Sequence, residues 1–192
     1  MGQPLPKSGK GVIKLVKWDE AVKRALRAYL SRDRYCYLYG AKGKRISCRG
    51  DVLSFFLAEP GYFSRYSAEE KEQIIRNSLG KTAYDCSGFT GWLCTGDRQY
   101  SAGQLACATY RTADLASGIA GSLLYTSYGG TGRHVGIDMG YGFCLDMACE
   151  STDRNVAEGR DSVRLYPIHS GEVPWEVSFC DCCVDYTGAT AV

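Results

Sequence analysis

Histidine is the scarcest useful residue in this chain: only two occur among 192 residues. Any chemistry that needs an imidazole must therefore use His134 or His169. An excess of charge of one sign is missing too. The 23 Lys and Arg against 21 Asp and Glu leave a formal charge of +2, so there is no general electrostatic case for nucleic acid. No uninterrupted apolar run of about 20 residues exists, which excludes a transmembrane helix. The only early apolar run, Gly11 to Val16, is short and broken by Lys14. No signal peptide is therefore read, and synthesis as a soluble cytoplasmic chain is expected. The Gly129-Gly130-Thr131-Gly132 stretch has neither GxxxxGK[ST] nor GxGxxG spacing, so a phosphate-binding loop is excluded.

Cysteine is abundant, with ten residues, but the count does not imply a disulfide scaffold. A chain of this length buries a core without staples. Cys180-Asp181-Cys182-Cys183, and the pair Cys144 and Cys149, lack the paired CxxC spacing of a zinc ribbon. These side chains are expected to pack as small hydrophobes, with no metal and no organic cofactor.

One cysteine stands apart. In Tyr84-Asp85-Cys86-Ser87-Gly88-Phe89-Thr90-Gly91-Trp92-Leu93, Asp85 is an N-cap candidate, and Phe89, Trp92 and Leu93 recur at helical spacing. Cys86 then falls in the first turn of a helix, where unpaired N–H groups and the macrodipole stabilise a thiolate. The same N–H groups, at Cys86 and Ser87, can hold the oxyanion of an acyl intermediate. Gly88 is expected to leave room for a substrate.

The matching imidazole is His134. The stretch from Arg133 to Met147 reads as a hairpin turning at Gly140-Tyr141-Gly142. Val135, Ile137 and Met139 share one face with Phe143, Leu145 and Met147, which favours an odd loop length. His134, Gly136 and Asp138 share the other. In either compatible register Asp146 lies opposite His134 or Gly136, within reach of the imidazole. It can orient that ring toward Cys86. Glu150, in the following polar loop, competes for the orienting role. His169 follows Pro167 in an expected loop with no partner in view.

Asp85-Cys86-Ser87-Gly88-Phe89 followed by His134-Val135-Gly136-Ile137 resembles the signature of the NlpC family of papain-like cysteine peptidases. The resemblance implies an α+β, papain-like fold, with the nucleophile at a helix N-terminus packed on an antiparallel sheet carrying the histidine. It implies Cys86 as nucleophile, His134 as base and Asp146 as orienting residue. Tyr37-Leu38-Tyr39-Gly40 is similar to the family's Tyr-x-x-Gly segment, which puts Tyr37 beside the nucleophile. The implied substrate is a peptidoglycan stem peptide, cut between D-glutamate and the diamino acid. Action on the cell wall would follow release or dedicated export. Two features depart from the family pattern. A long stretch separates Gly40 from Asp85, and Asp is uncommon at the third position. An N-acetylmuramoyl-L-alanine amidase, a related cysteine acyltransferase and a non-catalytic cell-wall or virion binding module remain as alternatives.

The remaining chain is read as a flexible arm over 1–17 and one catalytic domain over 18–192. Helices are predicted at Trp18 to Leu30, at Asp51 to Glu59 and at Ser67 to Leu79, the last with a Ser67/Glu70 capping box and Gly80 at its end. The middle pair belongs to a helical insertion over about 41–80. Thr112 to Ile119 is read as a further short helix. Val163 to Tyr166 and Trp175 to Cys183 are read as closing strands.

Overall fold

The computed structural model describes residues 15–95, 101–130 and 133–190. Most of the expected arm, residues 1–14, and positions 131–132 of the glycine lead lie outside them. The fold is mixed α+β. Its strands are β1 (Val16–Lys17), β2 (Tyr35–Tyr37), β3 (Lys42–Arg45), β4 (Thr82–Tyr84), β5 (Tyr110–Thr112), β6 (Leu123–Thr126), β7 (His134–Gly140), β8 (Phe143–Met147), β9 (Val163–Pro167), β10 (Val177–Cys180) and β11 (Val184–Asp185). Its helices are α1 (Trp18–Leu30), α2 (Arg49–Ala58), α3 (Pro60–Phe63), α4 (Ala68–Ser78), α5 (Cys86–Thr95), α6 (Ser101–Ala106) and α7 (Asp153–Ala157).

The central element is an antiparallel six-stranded sheet in the order β5-β10-β6-β7-β8-β9. Its middle strands read as apolar alternations, and their inner face carries Leu123, Val135, Ile137, Leu145 and Met147 into the main core. Helix α5 packs across β7 and β8, with α1 against both α5 and the sheet. Ala21, Ala25 and Ala28 form the buried stripe of α1, and these small side chains let it approach closely. Leu26 lies outside that stripe and is 45% exposed. Phe89 and Leu93 are fully buried, each burial contributing roughly 1.5–3 kcal/mol.

The β7–β8 hairpin pairs Ile137 with Leu145 and Asp138 with Cys144. Its parity comes from a bulge between Asp138 and Gly140, not from an odd loop, because Gly140 pairs with Phe143 across a two-residue turn. Tyr141 at φ +54° and Gly142 at φ +76° make that turn. Continuing the pairing puts Asp146 opposite Gly136, one of the two expected registers.

A second, three-stranded sheet in the order β2-β4-β3 leads the chain into α5, and α2, α3 and α4 cover a separate core of Leu38, Ile46, Val52, Phe63 and Ile74. The α4 capping box forms: Ser67 Oγ accepts from the Glu70 N–H at 3.1 Å, and Glu70 accepts from the Ser67 N–H at 2.8 Å. Gly80 follows at φ +77°, the left-handed stop its position requires.

Two expectations are corrected. Val16–Lys17, placed in the arm, is a strand parallel to β11, because the end of the chain returns beside it. Thr112 to Ile119 is not a helix. Thr112 ends β5, and Asp114 caps only a 3-10 turn at Leu115–Ser117, accepting from the Ala116 N–H. Among the described residues no helix is long and apolar enough to cross a membrane.

Candidate active site

Strand β4 delivers the chain to Asp85, whose N–H donates to the Ala41 carbonyl at 2.8 Å. The Asp85 carboxylate then caps α5: Oδ1 accepts from the Gly88 N–H at 2.6 Å. Lys42, from β3, donates to both carboxylate oxygens and, at 2.6 Å, to Ser87 Oγ. The Lys42–Asp85 pair is nearly buried, so the cap places no uncompensated negative charge beside the sulfur. Cys86 occupies the first position of α5, as expected. Among the described residues the N–H groups of Cys86 and Ser87 find no acceptor, which leaves two donors at the sulfur's end of the helix.

Gly88 serves a different purpose from the one expected. A Cβ there would lie 2.5 Å from the Ala41 carbonyl oxygen and 2.8 Å from Lys42 Cδ. The glycine lets α5 sit against β3 and does not line the cleft. Ser87 does line it, but its hydroxyl is committed to Asp85 and Lys42.

His134 begins β7, and its ring lies between Cys86 and Asp146. Nε2 is 2.8 Å from Asp146 Oδ2. A carboxylate only accepts, so Nε2 carries the hydrogen and Nδ1 is left for the Cys86 thiol, to which His134 is hydrogen-bonded. Burial opposes charge on the imidazole, but the hydrogen bonds and charges of Asp146 and Cys86 outweigh it and raise its pKa to about 10. Asp146 is fully buried, a cost more than offset by His134 and Arg164, which hold its pKa down to about 2.

Two further side chains hold Asp146. Arg164 pairs with it directly across β8 and β9, donating from Nε to Oδ1 at 2.8 Å and from Nη2 to Oδ2 at 2.6 Å. Tyr166, two residues along the same strand face, donates its hydroxyl to Oδ2 at 2.7 Å. Trp175 stacks on the imidazole, with ring centres 5.4 Å apart and planes 16° apart. Gly136 makes that possible, since a Cβ there would meet the indole edge at 3.0 Å. The sequence reading missed all three. A signal for Arg164 and Tyr166 was their alternation within a predicted apolar strand. For Trp175 only its position at the head of the last predicted strand was visible.

The other candidates fall as follows. Tyr37 is buried at the cleft beside Cys86, and burial together with the Cys86 charge pushes its hydroxyl pKa well up. Glu150 is turned away from His134: it accepts from Tyr66 and Arg65 of the insertion, and burial raises its pKa. His169 lies exposed in the turn after β9 and is not part of the cleft wall. None of the ten cysteines is joined in a disulfide.

The cleft holding Cys86 and His134 has a volume of about 760 Å³. The insertion forms part of its wall through Glu59, Tyr62 and Arg65, with Tyr62 stacked on Tyr39 at 3.9 Å and Arg65 over Tyr62 at 3.8 Å. No family model, curated protein or solved structure matches the chain. The chemistry must therefore be read from the geometry. A thiol at a helix start, an imidazole with one nitrogen committed to a held carboxylate, and two unspent N–H donors are groups that could supply a nucleophile, a proton carrier and an oxyanion site. Away from the cleft, among the described residues, Cys107, Asp181 and Cys182 lie close enough to share a metal ion.

Proposed function

We propose that this protein is a papain-like cysteine peptidase of the NlpC type that hydrolyses an amide bond in peptidoglycan stem peptides through an acyl-thioenzyme. The observation that carries the reading is the chain of contacts from Cys86 through His134 to a fully buried Asp146, itself held by Arg164 and Tyr166. Cys86 Sγ attacks the carbonyl carbon, forming a C–S bond while the thiol proton resides on His134 Nδ1. The oxyanion lies against the Cys86 N–H, with Tyr37 at its edge. Collapse breaks the C–N bond, and the leaving amine takes the proton from His134. Water then adds to the thioester with His134 as base, releasing the acid and restoring the thiol.

The substrate class rests on the resemblance of Asp85-Cys86-Ser87-Gly88-Phe89 and His134-Val135-Gly136-Ile137 to the NlpC signature. It is supported by Arg65, Arg133 and Arg160 along the cleft, cations suited to the carboxylates of an acidic stem. The bond assigned is that between D-glutamate and the diamino acid, and the site of action is the cell wall.

Digestion of purified peptidoglycan followed by mass spectrometry tests this. The expected products are stems cleaved after D-glutamate, with none from Cys86→Ala. Free intact stems would indicate an amidase, and acyl transfer to an added amine without hydrolysis would indicate a transferase. A folded wild-type protein that binds sacculi without releasing fragments would overturn the enzymatic reading.

A further inference from the structure

At the far end of α5 from Cys86 is a second cluster of thiols that the cleft chemistry does not use. Strand β5 pairs with β10, with Tyr110 opposite Cys180 and the Thr109 N–H donating to the Cys180 carbonyl at 3.0 Å. That pairing brings Cys107, just past α6, alongside Asp181 and Cys182, just past β10. The two sulfurs and a carboxylate oxygen of these residues all lie within 4.8 Å of one another. Cys183 Sγ is 3.8 Å from Cys182 Sγ.

The Asp181 carboxylate is the independent pointer to a ligand. Its side chain is completely buried. Oδ1 accepts from the Cys183 N–H at 2.8 Å and the Cys183 thiol also interacts with the carboxylate, whereas Oδ2 is buried with no partner at hydrogen-bond geometry among the described residues. A buried carboxylate oxygen left without a donor is costly, and a cation removes that cost. Two or three thiolates with one carboxylate form a donor set that suits a tetrahedral, borderline-soft ion. With zinc–sulfur bonds of about 2.3 Å, tetrahedral geometry sets neighbouring sulfurs roughly 3.8 Å apart. Cys182 and Cys183 already stand at that spacing; Cys107, Asp181 and Cys182 need to close on one another by up to about 1 Å, and Cys183 has farther to move toward the rest of that group.

We propose that Cys107, Asp181 and Cys182, completed by Cys183, form a structural zinc site. The ion would tie the segment after α6 to the end of β10, beside Cys94 in the last turn of α5. Binding displaces the thiol protons to solvent, and no electron transfer is involved. Since α5 spans ten residues, or roughly 15 Å, the site lies apart from Cys86 and acts on the placement of its helix rather than on substrate. Sequence spacing could not reveal it, because Cys107 and Cys182 meet only through the β5–β10 pairing.

The test uses the full chain, reduced, as Cys86→Ser, so that the cleft thiol and imidazole cannot themselves take up metal. Zinc is titrated against a chromophoric chelator, and cobalt(II) is used as a spectroscopic probe. The expected results are one tight zinc per chain, a tetrahedral cobalt–thiolate spectrum, and a Tm that rises with zinc. Adding Cys107→Ser, Cys182→Ser or Asp181→Asn should each weaken zinc binding on the order of a hundredfold or more, whereas Cys48→Ser, at an exposed position, should not. If a variant fails to fold, the cobalt spectrum of the parent decides. Absence of stoichiometric metal, or binding that survives both Cys107→Ser and Cys182→Ser, would overturn the proposal. So would a chain isolated with a mass short by two hydrogens and a Cys107–Cys182 disulfide.

Discussion

Replacing Asp146 by Asn separates two roles that one carboxylate combines. Asp146 receives four hydrogen bonds, one from His134, two from Arg164 and one from Tyr166, and has no solvent exposure. An Asn amide accepts through one oxygen only and turns its NH₂ toward groups that are themselves donors. Among the described residues, the guanidinium of Arg164, with 9% side-chain exposure, keeps only Glu172, at 3.3 Å, as an ion-pair partner. Breaking a buried ion pair from one side costs about 3–5 kcal/mol, or about 6–20 °C in Tm for a chain of this size. Turnover falls for a different reason. The imidazole loses the acceptor that fixes Nε2–H and the charge that favours its protonated form. In a serine-protease triad the equivalent change costs roughly four decades in kcat. A loss of about two to four decades is expected here. The decisive variant is Asp146→Asn with Arg164→Met, which removes the stranded cation. Its Tm should recover much of the loss, while its turnover, assayed on one purified muropeptide, should not. Recovery of turnover together with Tm would show that Asp146 is only a counter-ion for Arg164, and the reasoning would fail.

Other outcomes follow from the same contacts. Gly88→Ala forces a Cβ to 2.5 Å from the Ala41 carbonyl, so it should destabilise by several kcal/mol and reduce soluble yield; an unchanged denaturation midpoint would contradict the packing described. Burial raises the Asp138 carboxyl to a pKa of about 6, so between its unfolded value and 6 the folded chain holds a proton that the unfolded chain has lost. Stability from this group therefore increases as pH falls through 6. Asp138→Asn, which can still accept from the Gly140 N–H, should add about 1–3 kcal/mol near pH 7.5, about 1 kcal/mol or less near pH 4.5 and almost nothing below about pH 3. The His134 imidazolium, with a pKa of about 10, should be lost above that value, so kcat/KM should fall on the alkaline side near pH 10. That limb should move to lower pH in Asp146→Asn, and an alkaline limb near 7 in the wild type would argue against the charged pair.

What was legible in the sequence was local. Trp18–Leu30, the Ser67/Glu70 box with Gly80, and the His134–Met147 hairpin are determined by neighbours in the chain, through helical period, capping and alternation. Parity alone put Asp146 on the face of His134, and the bulge that delivers it was not needed for that inference. What escaped depends on distant pairing. Lys42-Gly43-Lys44-Arg45 has no apolar alternation and becomes β3 only because β4 and α5 return beside it. Lys42, Arg164 and Trp175 look like ordinary surface or core residues until the sheets close. Gly88 was misread because its crowding comes from Ala41, 47 positions earlier, and not from the helix it belongs to.

The central claim is that Cys86 is an activated nucleophile, and exposure and chemistry make opposite forecasts for it. Cys86 is only 8% exposed, whereas Cys48 and Cys182 are exposed. Site-resolved alkylation by iodoacetamide near pH 7, followed by peptide mass spectrometry, distinguishes them directly. The account predicts that Cys86 labels at least about tenfold faster than Cys48, and that His134→Ala abolishes the advantage. Labelling led by Cys48, with Cys86 slow and indifferent to His134→Ala, would contradict it.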